Sequence, residues 1–400
     1  MSAANRSTVP PSFDYWRARL AGALRPRRPA RAASPAQPTE PGISVVIPSR
    51  DGRDLLAAQL PGIQRGLDGL ASEVIVSDNG STDGTAAWLR AEWPAVRVAV
   101  SDRPLSFSRA VNRGIAQARF SHVCLLNNDM LIEPGFFAAL RRAFDEVPNL
   151  FCATAQIRFP EGIRREETGK AVMAQDAPAD FPLRCDEPLP GEDGTWVLYG
   201  SGGCSLYDAA KLRALGCADE AYEPAYVEDL DLGWRAWQRR WPSVYVAGAV
   251  VEHRHRATTR RFYTEEQLEA VLEINYLRFL ARAVADRAVF ARLWKQALDR
   301  LKLFGARASA REALRHAASL AWQGGPRLER PYSETSFLML TNGCAAVFPG
   351  TGSGVTVLPV EHLAPPSLEL LRTNSKVVLI RDSRDSIAFA AALEWAGCKL

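Results

Sequence analysis

The stretch Ile43-Ser44-Val45-Val46-Ile47-Pro48-Ser49 is rich in β-branched residues, and the polar turn Arg50-Asp51-Gly52 follows it. This pattern predicts a short buried strand that ends in a loop, and a helical stretch to about residue 70 comes next. A second strand at Val74-Ile75-Val76 ends in a polar turn over residues 77–84, which carries residues that favour the start of a helix. The sequence therefore begins with an alternation of strands and helices.

The alternation continues beyond these elements. A strand is predicted at residues 96–100, a helix at 107–118 and an apolar strand at Val123-Cys124-Leu125-Leu126, which leads into Asn127-Asn128-Asp129. Gly200-Ser201-Gly202-Gly203 opens a helix-like segment that ends near residue 216, and a long helix is predicted from about residue 228 to residue 240. This order indicates an α/β fold, Rossmann-like, with a mainly parallel central sheet and helices on both faces.

Composition limits the class of protein. The chain has 400 residues, 47% hydrophobic and 24% charged, and its formal net charge of +4 neither requires nor excludes a polyanionic partner. We expect no nucleic acid among its partners. Seven scattered cysteines without a CxxC pair argue against a structural zinc site and indicate a reducing compartment. No stretch approaches the roughly 20 apolar residues that span a bilayer, so we expect a cytoplasmic protein.

The chain divides into four predicted segments. Residues 1–41 are rich in Pro, Ala and Arg and predict a flexible basic tail, since the prolines would spoil the amphipathic helix of a transit peptide. Residues 42–262 form the main α/β domain. Residues 263–325 predict an amphipathic helical extension, and residues 326–400 a small α/β appendage to which the sequence assigns no role.

The helical extension carries a basic pattern. Arginines and lysines accompany apolar stripes over residues 264–303. An ordinary capping helix with a solvated basic face is the favoured interpretation, and a peripheral contact with a membrane or a partner is the alternative. The basic residues concerned are Arg278, Arg282, Arg287, Arg292, Lys295, Arg300 and Lys302.

Three carboxylates follow predicted elements of the main domain. Asp78 follows the second strand, Asp129 follows the strand that ends at Leu126, and Asp229 stands at the start of a helix. Each has an ordinary explanation as a turn or helix-capping residue. In a doubly wound sheet, however, ligands bind at the carboxyl ends of the strands, which is where two of these residues fall.

Over about residues 43–260 the ordered set of motifs resembles the inverting nucleotide-sugar glycosyltransferases of family 2, in their rhamnosyltransferase-like branch. The motifs that carry the resemblance are Val45-Val46-Ile47-Pro48-Ser49, the turn over residues 77–85, residues 107–114, Leu125-Leu126-Asn127-Asn128-Asp129, Gly200-Ser201-Gly202-Gly203, Glu228-Asp229-Leu230-Asp231-Leu232 with Arg235, and His253. The resemblance implies a GT-A fold over residues 42–262. It also implies transfer of a sugar from a nucleotide-diphosphate sugar donor to a glycan or lipid-linked acceptor.

The same resemblance implies roles for single residues. Asp229 is the expected catalytic base, since inversion needs a group that takes the proton of the acceptor hydroxyl. Asp129 and His253 are the expected ligands of Mg²⁺ or Mn²⁺, although His255 is an alternative to His253. The remaining implied residues form two groups. The first contacts the donor nucleotide (Pro48, Ser49, Asp78, Asn112 and Asn127), and the second contacts either the acceptor or the residues around the site (Gly202, Gly203, Glu228 and Arg235).

The sequence departs from the family pattern at two positions. Asn127 replaces the first acid of the Asp-x-Asp metal motif, so the site loses one charge. Val111 stands where the family often has a basic residue, which leaves Arg103 or Arg109 as substitutes.

Two other functions stay open. A nucleotidyltransferase would normally begin with a glycine-rich basic loop, and Ser49-Arg50-Asp51-Gly52 is poor in glycine. A catalytically inactive binding protein with this fold is the other alternative, against which Asp129, Asp229 and His253 together argue. Gln238-Arg239-Arg240-Trp241 lacks the spacing of the QxxRW signature of processive synthases, so we expect transfer of a single sugar.

Overall fold

The computed structural model describes residues 40–147, 149–160, 164–165, 196–197, 199–237, 239, 241–254, 258–284 and 287–324, together with the backbone of three short strands further on. The predicted tail over residues 1–39, most of the irregular region 150–195 and most of the appendage 326–400 lie outside the described residues.

Within the described residues the central sheet has ten strands, in the order β3-β2-β1-β4-β9-β6-β10-β5, with β7 beside β6 and β8 beside β10. Neighbouring strands from β3 to β4 are parallel, as are β6 and β10. The strands are β1 (Glu40–Ser49), β2 (Ser72–Asp78), β3 (Arg97–Val98), β4 (Phe120–Leu126), β5 (Met130–Ile132), β6 (Cys152–Arg158), β7 (Arg164–Arg165), β8 (Trp196–Val197), β9 (Cys204–Asp208) and β10 (Ser243–His253). The predicted class, α/β with a mainly parallel sheet, is confirmed.

Nine α-helices are present in the described part of the chain. They are α1 (Arg53–Gly66), α2 (Thr85–Glu92), α3 (Phe107–Ile115), α4 (Phe136–Glu146), α5 (Ala209–Ala214), α6 (Glu228–Trp237), α7 (Glu265–Ala283), α8 (Arg287–Leu303) and α9 (Ala308–Ala317). None of them combines the length and apolar character needed to cross a bilayer.

The sheet has a hydrophobic core on each face. Val45 and Ile47 of β1 belong to one core, which includes residues of α1, α4 and α7–α9, whereas Val46 belongs to the other, with residues of α3, α5 and α6. Successive strand residues point to opposite faces, so a strand covered on both sides must be apolar at consecutive positions. This is why the run Val45-Val46-Ile47 is fully buried.

The segment after Gly203 differs from its prediction as a helix. Cys204–Asp208 forms β9, which is antiparallel to β4 and β6 and lies between them, and only Ala209–Ala214 is helical. Cys204 to Tyr207 are all buried. A strand buried on both faces shows no period-2 alternation, so its sequence pattern cannot be separated from that of a buried helix.

The basic residues of 264–303 lie only in part on the predicted solvated face, since Lys295 and Lys302 are exposed whereas three arginines are buried. Arg278, Arg282 and Arg300 are at most 5% exposed. Arg282 pairs with Asp219 at 2.9 Å, and Arg300 makes a bidentate pair with Glu273. These charges stabilise the packing of α7 and α8, so they are not part of a surface that faces solvent or lipid.

Of the appendage, the structure describes only an antiparallel sheet in the order β12-β11-β13. Its strands are β11 (Cys344–Val347), β12 (Thr356–Pro359) and β13 (Val378–Leu379).

Candidate active site

The carboxyl ends of β1 and β2 lie side by side and place the expected nucleotide residues together. Ser49 is in register with Asp78, and Pro48 with Ser77. The Asp78 side chain is buried, and its Oδ1 accepts a hydrogen bond from the Ser81 N–H at 3.2 Å. Three of the expected donor residues, Pro48, Ser49 and Asp78, therefore converge at one edge of the sheet.

Two loops at this edge are joined by the carboxylates Asp51 and Asp83. Asp51 Oδ1 accepts from the Thr82 N–H, and Asp83 accepts from Thr85 and from the Arg53 N–H. Burial alone would raise the pKa of Asp83, but these hydrogen bonds outweigh it and lower the pKa. Asp51 has a φ of 46°, in the left-handed region that Asp tolerates better than most residues. The two residues join the loop after β1 to the turn after β2.

The turn after β4 is held by two residues that the sequence did not single out. The Gln59 amide on α1 donates to the carbonyls of Asn127 and Met130, each at 2.6 Å. Asn128 donates to Ser49 Oγ and accepts from Thr258 Oγ1, both at 2.9 Å. Only the position of Asn128 between Asn127 and Asp129 could have drawn attention to it, and Gln59 looks like any polar residue of a helix.

The expected metal ligands lie in contact. His253, at the end of β10, is in register with Met130 of β5, and its Nε2 lies 3.5 Å from Asp129 Oδ1. The Asn127 Oδ1 atom is buried without a hydrogen-bond partner. His255 lies outside the described residues. No cluster of three or more His, Cys, Asp or Glu is present in the part of the chain that the structure describes.

These donors fit a hard divalent cation. A carboxylate, an imidazole and an unpaired amide oxygen can coordinate Mg²⁺ or Mn²⁺ when the oxygens of a diphosphate complete the shell. Asn127 keeps an oxygen where the family has an acid, although it supplies no charge. Its unpaired buried oxygen is the observation that supports a metal here, since buried polar atoms normally have a partner.

The glycine pair Gly202-Gly203 contacts both Asn127 and the expected base Asp229. A Cβ on Gly203 would lie 2.4 Å from Asn127 Nδ2, and one on Gly202 would lie 3.5 Å from Asp229 Cβ. The Gly203 carbonyl accepts from the Asn127 N–H at 2.8 Å, and the Gly202 N–H donates to Asp229 Oδ2 at 3.4 Å. Gly203 therefore contacts Asn127, which precedes Asp129 in the turn after β4, and Gly202 contacts Asp229.

Glu228 and Asp229 form a carboxylate pair at the start of α6. Burial raises the pKa of Asp229, although hydrogen bonds from the Leu230 and Gly202 N–H groups oppose the effect. Burial and the neighbouring charge of Asp229 raise the pKa of Glu228 well above its usual range. Glu228 Oε2 is buried without a hydrogen-bond partner. A carboxyl in this setting favours its neutral form, while Asp229 has N–H donors that favour its charged form.

Asn112 and Arg235 both form hydrogen bonds with the segment that links α5 and α6. Asn112 donates to the Ala218 carbonyl and accepts from the Ala218 N–H, at 2.9 and 3.0 Å. Arg235 donates to Asp231 and to the carbonyls of Leu215 and Cys217. Both side chains bond to the backbone of residues 215–218, which follow α5. For Asn112 this contact differs from the expected contact with the nucleotide. The backbone partners of Arg235 and Asn112 lie about 20 and 106 residues away in the sequence, so the local sequence contains no signal for these contacts.

The basic substitutes expected near Val111 are on the surface. Val111 itself is buried in the core, and Arg109 lies 3.3 Å from Glu220 and 3.5 Å from Glu223. Arg109 is therefore balanced by acids of the turn before α6. Arg103 is exposed.

Comparison with known proteins gives a family match over residues 41–271, to the family described as glycosyltransferase like family 2. An N-acetylglucosaminyl-diphospho-decaprenol L-rhamnosyltransferase of Mycobacterium tuberculosis is 31% identical over 212 residues, which are 47% of this chain and 68% of the relative. The uncharacterized protein y4gI of Sinorhizobium fredii is 32% identical over 253 residues, 60% of this chain and 27% of that protein.

Solved structures show weaker likeness. The mannosyltransferase PcManGT from Pyrobaculum calidifontis, in complex with GDP-Man and Mn²⁺, has 15% identity and a TM-score of 0.47 and covers 96% of this chain and 92% of its own. TarS of S. aureus has 14% identity and a TM-score of 0.43 over 66% of this chain and 72% of its own.

Proposed function

Because this chain belongs to the family described as glycosyltransferase like family 2, we propose that it transfers a single sugar, with inversion, from a nucleotide-diphosphate sugar to an acceptor hydroxyl. The observation that carries the proposal is that one short segment, Gly202-Gly203, contacts Asp229 and also Asn127, whose buried oxygen is unpaired and which lies two residues before Asp129, the partner of His253. Such a segment can separate a donor diphosphate from an acceptor. A binding protein without chemistry would have no need of this pairing.

The donor side is assigned to the strand ends. Pro48, Ser49 and Asp78 are proposed to contact the nucleotide, since an acceptor-only carboxylate suits the N–H groups of a base edge. Asp129, Asn127 and His253 are proposed to hold Mg²⁺ or Mn²⁺ against the diphosphate. When bound, the ion would stabilise the negative charge of the departing diphosphate. We propose that Pro48, Ser49 and Asp78 orient the donor so that its anomeric carbon faces Asp229.

The acceptor side is assigned to Asp229. Its pKa is raised by burial, which makes it a stronger proton acceptor than an exposed aspartate. We propose that Asp229 removes the acceptor hydroxyl proton as that oxygen attacks from the face opposite the diphosphate, which gives inversion. Gly202 leaves the approach open, because a side chain there would contact both Phe107 and Asp229.

The substrates are proposed from the relatives. The M. tuberculosis protein is named as an L-rhamnosyltransferase that acts on N-acetylglucosaminyl-diphospho-decaprenol. We therefore propose a nucleotide-diphosphate L-rhamnose as the first donor to test and a lipid-diphosphate-linked saccharide as the acceptor, in the synthesis of a polysaccharide or glycoconjugate. A lipid-linked acceptor would bring the protein to the cytoplasmic face of a membrane. Flotation of the protein with anionic vesicles at low salt tests this membrane association.

The test combines transfer and binding on the same variant. UDP-, GDP- and dTDP-linked sugars, dTDP-L-rhamnose included, are supplied with Mn²⁺ and a short-chain lipid-diphosphate N-acetylglucosamine. We expect transfer by the wild type and a loss of about 10²- to 10⁴-fold in Asp229→Asn. Donor affinity should stay unchanged, because the substitution keeps the shape of the side chain.

Asp208→Asn is the matched control. Asp208 also stands at the start of a helix, where its side chain accepts from the Lys211 N–H, and Asn can replace it in that role. Asp208 is in register with His122, near the start of β4. It therefore lies at the edge of the sheet opposite to the strand ends that carry the proposed site. Near-normal transfer by Asp229→Asn would refute the assignment of the base. Absence of transfer by the wild type with the whole panel would favour a binding protein.

A further inference from the structure

The turn over residues 219–227 leads directly into the helix that carries Asp229. Tyr226 and Val227, the last two residues of the turn, have φ angles of 72° and 76°. This left-handed region is unfavourable for L-residues and most of all for β-branched ones such as Val. Strained backbone of this kind persists only where its surroundings hold it firmly.

Helix α7 supplies the contacts. Asn275 is fully buried, and its Nδ2 donates to the carbonyls of Ala225 and Tyr226 at 2.9 and 3.2 Å, with Glu223 O at 3.4 Å. The carbonyls of Ala225 and Tyr226 belong to the peptide groups that precede the two left-handed residues. Fixing these peptide groups fixes the backbone orientation at both residues.

Arg278, one helical turn further on, orients the amide of Asn275. Its Nη1 donates to Asn275 Oδ1 at 2.8 Å and to the Ala221 carbonyl at 2.6 Å. This contact leaves the amide nitrogen of Asn275 facing the turn. Burial lowers the pKa of Arg278 to about 10, so the side chain keeps its charge at neutral pH. One turn beyond, Arg282 pairs with Asp219 at the start of the same segment.

We propose that Asn275 is a positioning residue for Asp229, acting through the turn that it holds. The inference rests on the proposed function of Asp229 as the base. It means that α7, through Asn275, fixes the backbone position at which α6 begins. Space-filling alone does not account for an asparagine here, because Ile274 and Leu277 beside it are ordinary apolar core residues. A buried amide is costly unless its hydrogen bonds are made, and these bonds go to the turn.

Asn275→Leu tests the proposal, since leucine has similar volume but no N–H donors. Hydrogen exchange is measured on peptides that cover residues 221–232, and kcat, KM and the affinity for UDP with Mn²⁺ are measured on the same protein. We expect faster exchange in these peptides. We also expect kcat to fall by roughly 10- to 100-fold, with UDP affinity within about twofold of wild type, because misplacement of a catalytic group affects the reaction more than donor binding.

Leu268→Ala is the control, because Leu268 is a buried residue of the same helix, two turns before Asn275. It should lower the melting temperature without affecting exchange over residues 221–232 selectively. If Asn275→Leu does not fold, Asn275→Asp carries the same test, since it keeps the shape and the contact with Arg278 but removes both N–H donors.

The outcomes separate this inference from the proposed function. Wild-type exchange over residues 221–232 in the variant would overturn the positioning role whether or not the enzyme is active. Wild-type kcat in the variant, measured against an active wild type, would overturn it as well. An inactive wild type would refute the proposed function, and the exchange result would then still decide whether Asn275 holds the turn.

Discussion

At the scale of single residues, the two adjacent carboxyls Glu228 and Asp229 have different protonation tendencies, and this predicts a pH dependence. Burial raises the pKa of Asp229, so protonation removes the base at a higher pH than for an exposed aspartate. Transfer should therefore fall as the pH drops, with an acid limb above the ordinary aspartate value of about 4. A pH profile of kcat for the wild type checks this expectation.

Glu228→Gln is the informative comparison. Burial and the charge of Asp229 both raise the pKa of Glu228 and favour its neutral form, so a neutral glutamine should leave the acid limb of the kcat profile nearly in place. If Glu228 were instead ionised beside Asp229, removal of its charge would shift the limb to lower pH. A large shift in this variant would contradict the assignment of Glu228 as the neutral partner.

The proposed metal ligands Asp129, Asn127 and His253 should differ in their importance for metal binding. Asp129 is the one carboxylate assigned to the cluster, so Asp129→Ala should abolish Mn²⁺-dependent binding of UDP, whereas His253→Ala should weaken it less. Asn127→Asp should preserve or strengthen binding, because it places a charge where a buried oxygen has no partner. Calorimetric titration with and without Mn²⁺ measures the ranking. Unchanged metal-dependent affinity in Asp129→Ala would refute the ligand assignment.

At the scale of elements, helix α1 contacts the turn that carries the proposed metal ligands. Gln59 is buried, and its amide bridges the carbonyls on either side of Asn128 and Asp129. Gln59→Leu should remove the Gln59 donor from both carbonyls and leave the Asn127 carbonyl with the Met130 N–H at 3.2 Å, at a cost of about 1 to 3 kcal/mol in unfolding free energy for a carbonyl left buried and unpaired. Mn²⁺-dependent affinity for UDP should fall as well, while Mn²⁺-independent affinity should not.

A variant elsewhere on α1 separates the two effects of Gln59→Leu. Leu56→Ala removes a buried side chain of the same helix and should lower the melting temperature by cavity formation. It should leave metal dependence intact. Equal loss of metal dependence in both variants would show that Gln59 acts through general stability, against the specific role argued for it.

The elements also show what sequence can and cannot predict. The strands that end at Ser49, Asp78 and Leu126 follow from apolar runs and polar turns, and so does the convergence of Asp78 and Asp129 at one edge. Strand β9 was missed because burial on both faces removes the alternation that marks a strand. Gln59, Asn112 and Asn275 could not be assigned from sequence, since their partners are backbone carbonyls of distant segments, which no side-chain pattern encodes.

At the scale of the whole molecule, one hydrophobic core extends across residue 262, where the sequence suggested that the main domain ends. Ile274, Leu277 and Leu280 of α7 and Leu293 and Leu301 of α8 belong to the same core as the strands β1 and β6. The ring of Trp234 on α6 also packs edge-on against Phe279 on α7, with centroids 6.0 Å apart. The family match, which extends to residue 271, ends inside α7.

A chain that ends at residue 262 should therefore fail to fold. Burial of five such aliphatic side chains contributes about 1.5 to 3 kcal/mol each, or roughly 10 kcal/mol together, which is comparable with the whole stability of a typical domain. A chain that ends at residue 324 keeps all of this described core and should melt cooperatively. Circular dichroism and thermal unfolding of the two truncated chains beside the full chain decide. Cooperative unfolding of the chain that ends at 262 would show that α7–α9 form an extension with no part in the stability of the catalytic core, and it would also weaken the argument that α7 positions Asp229.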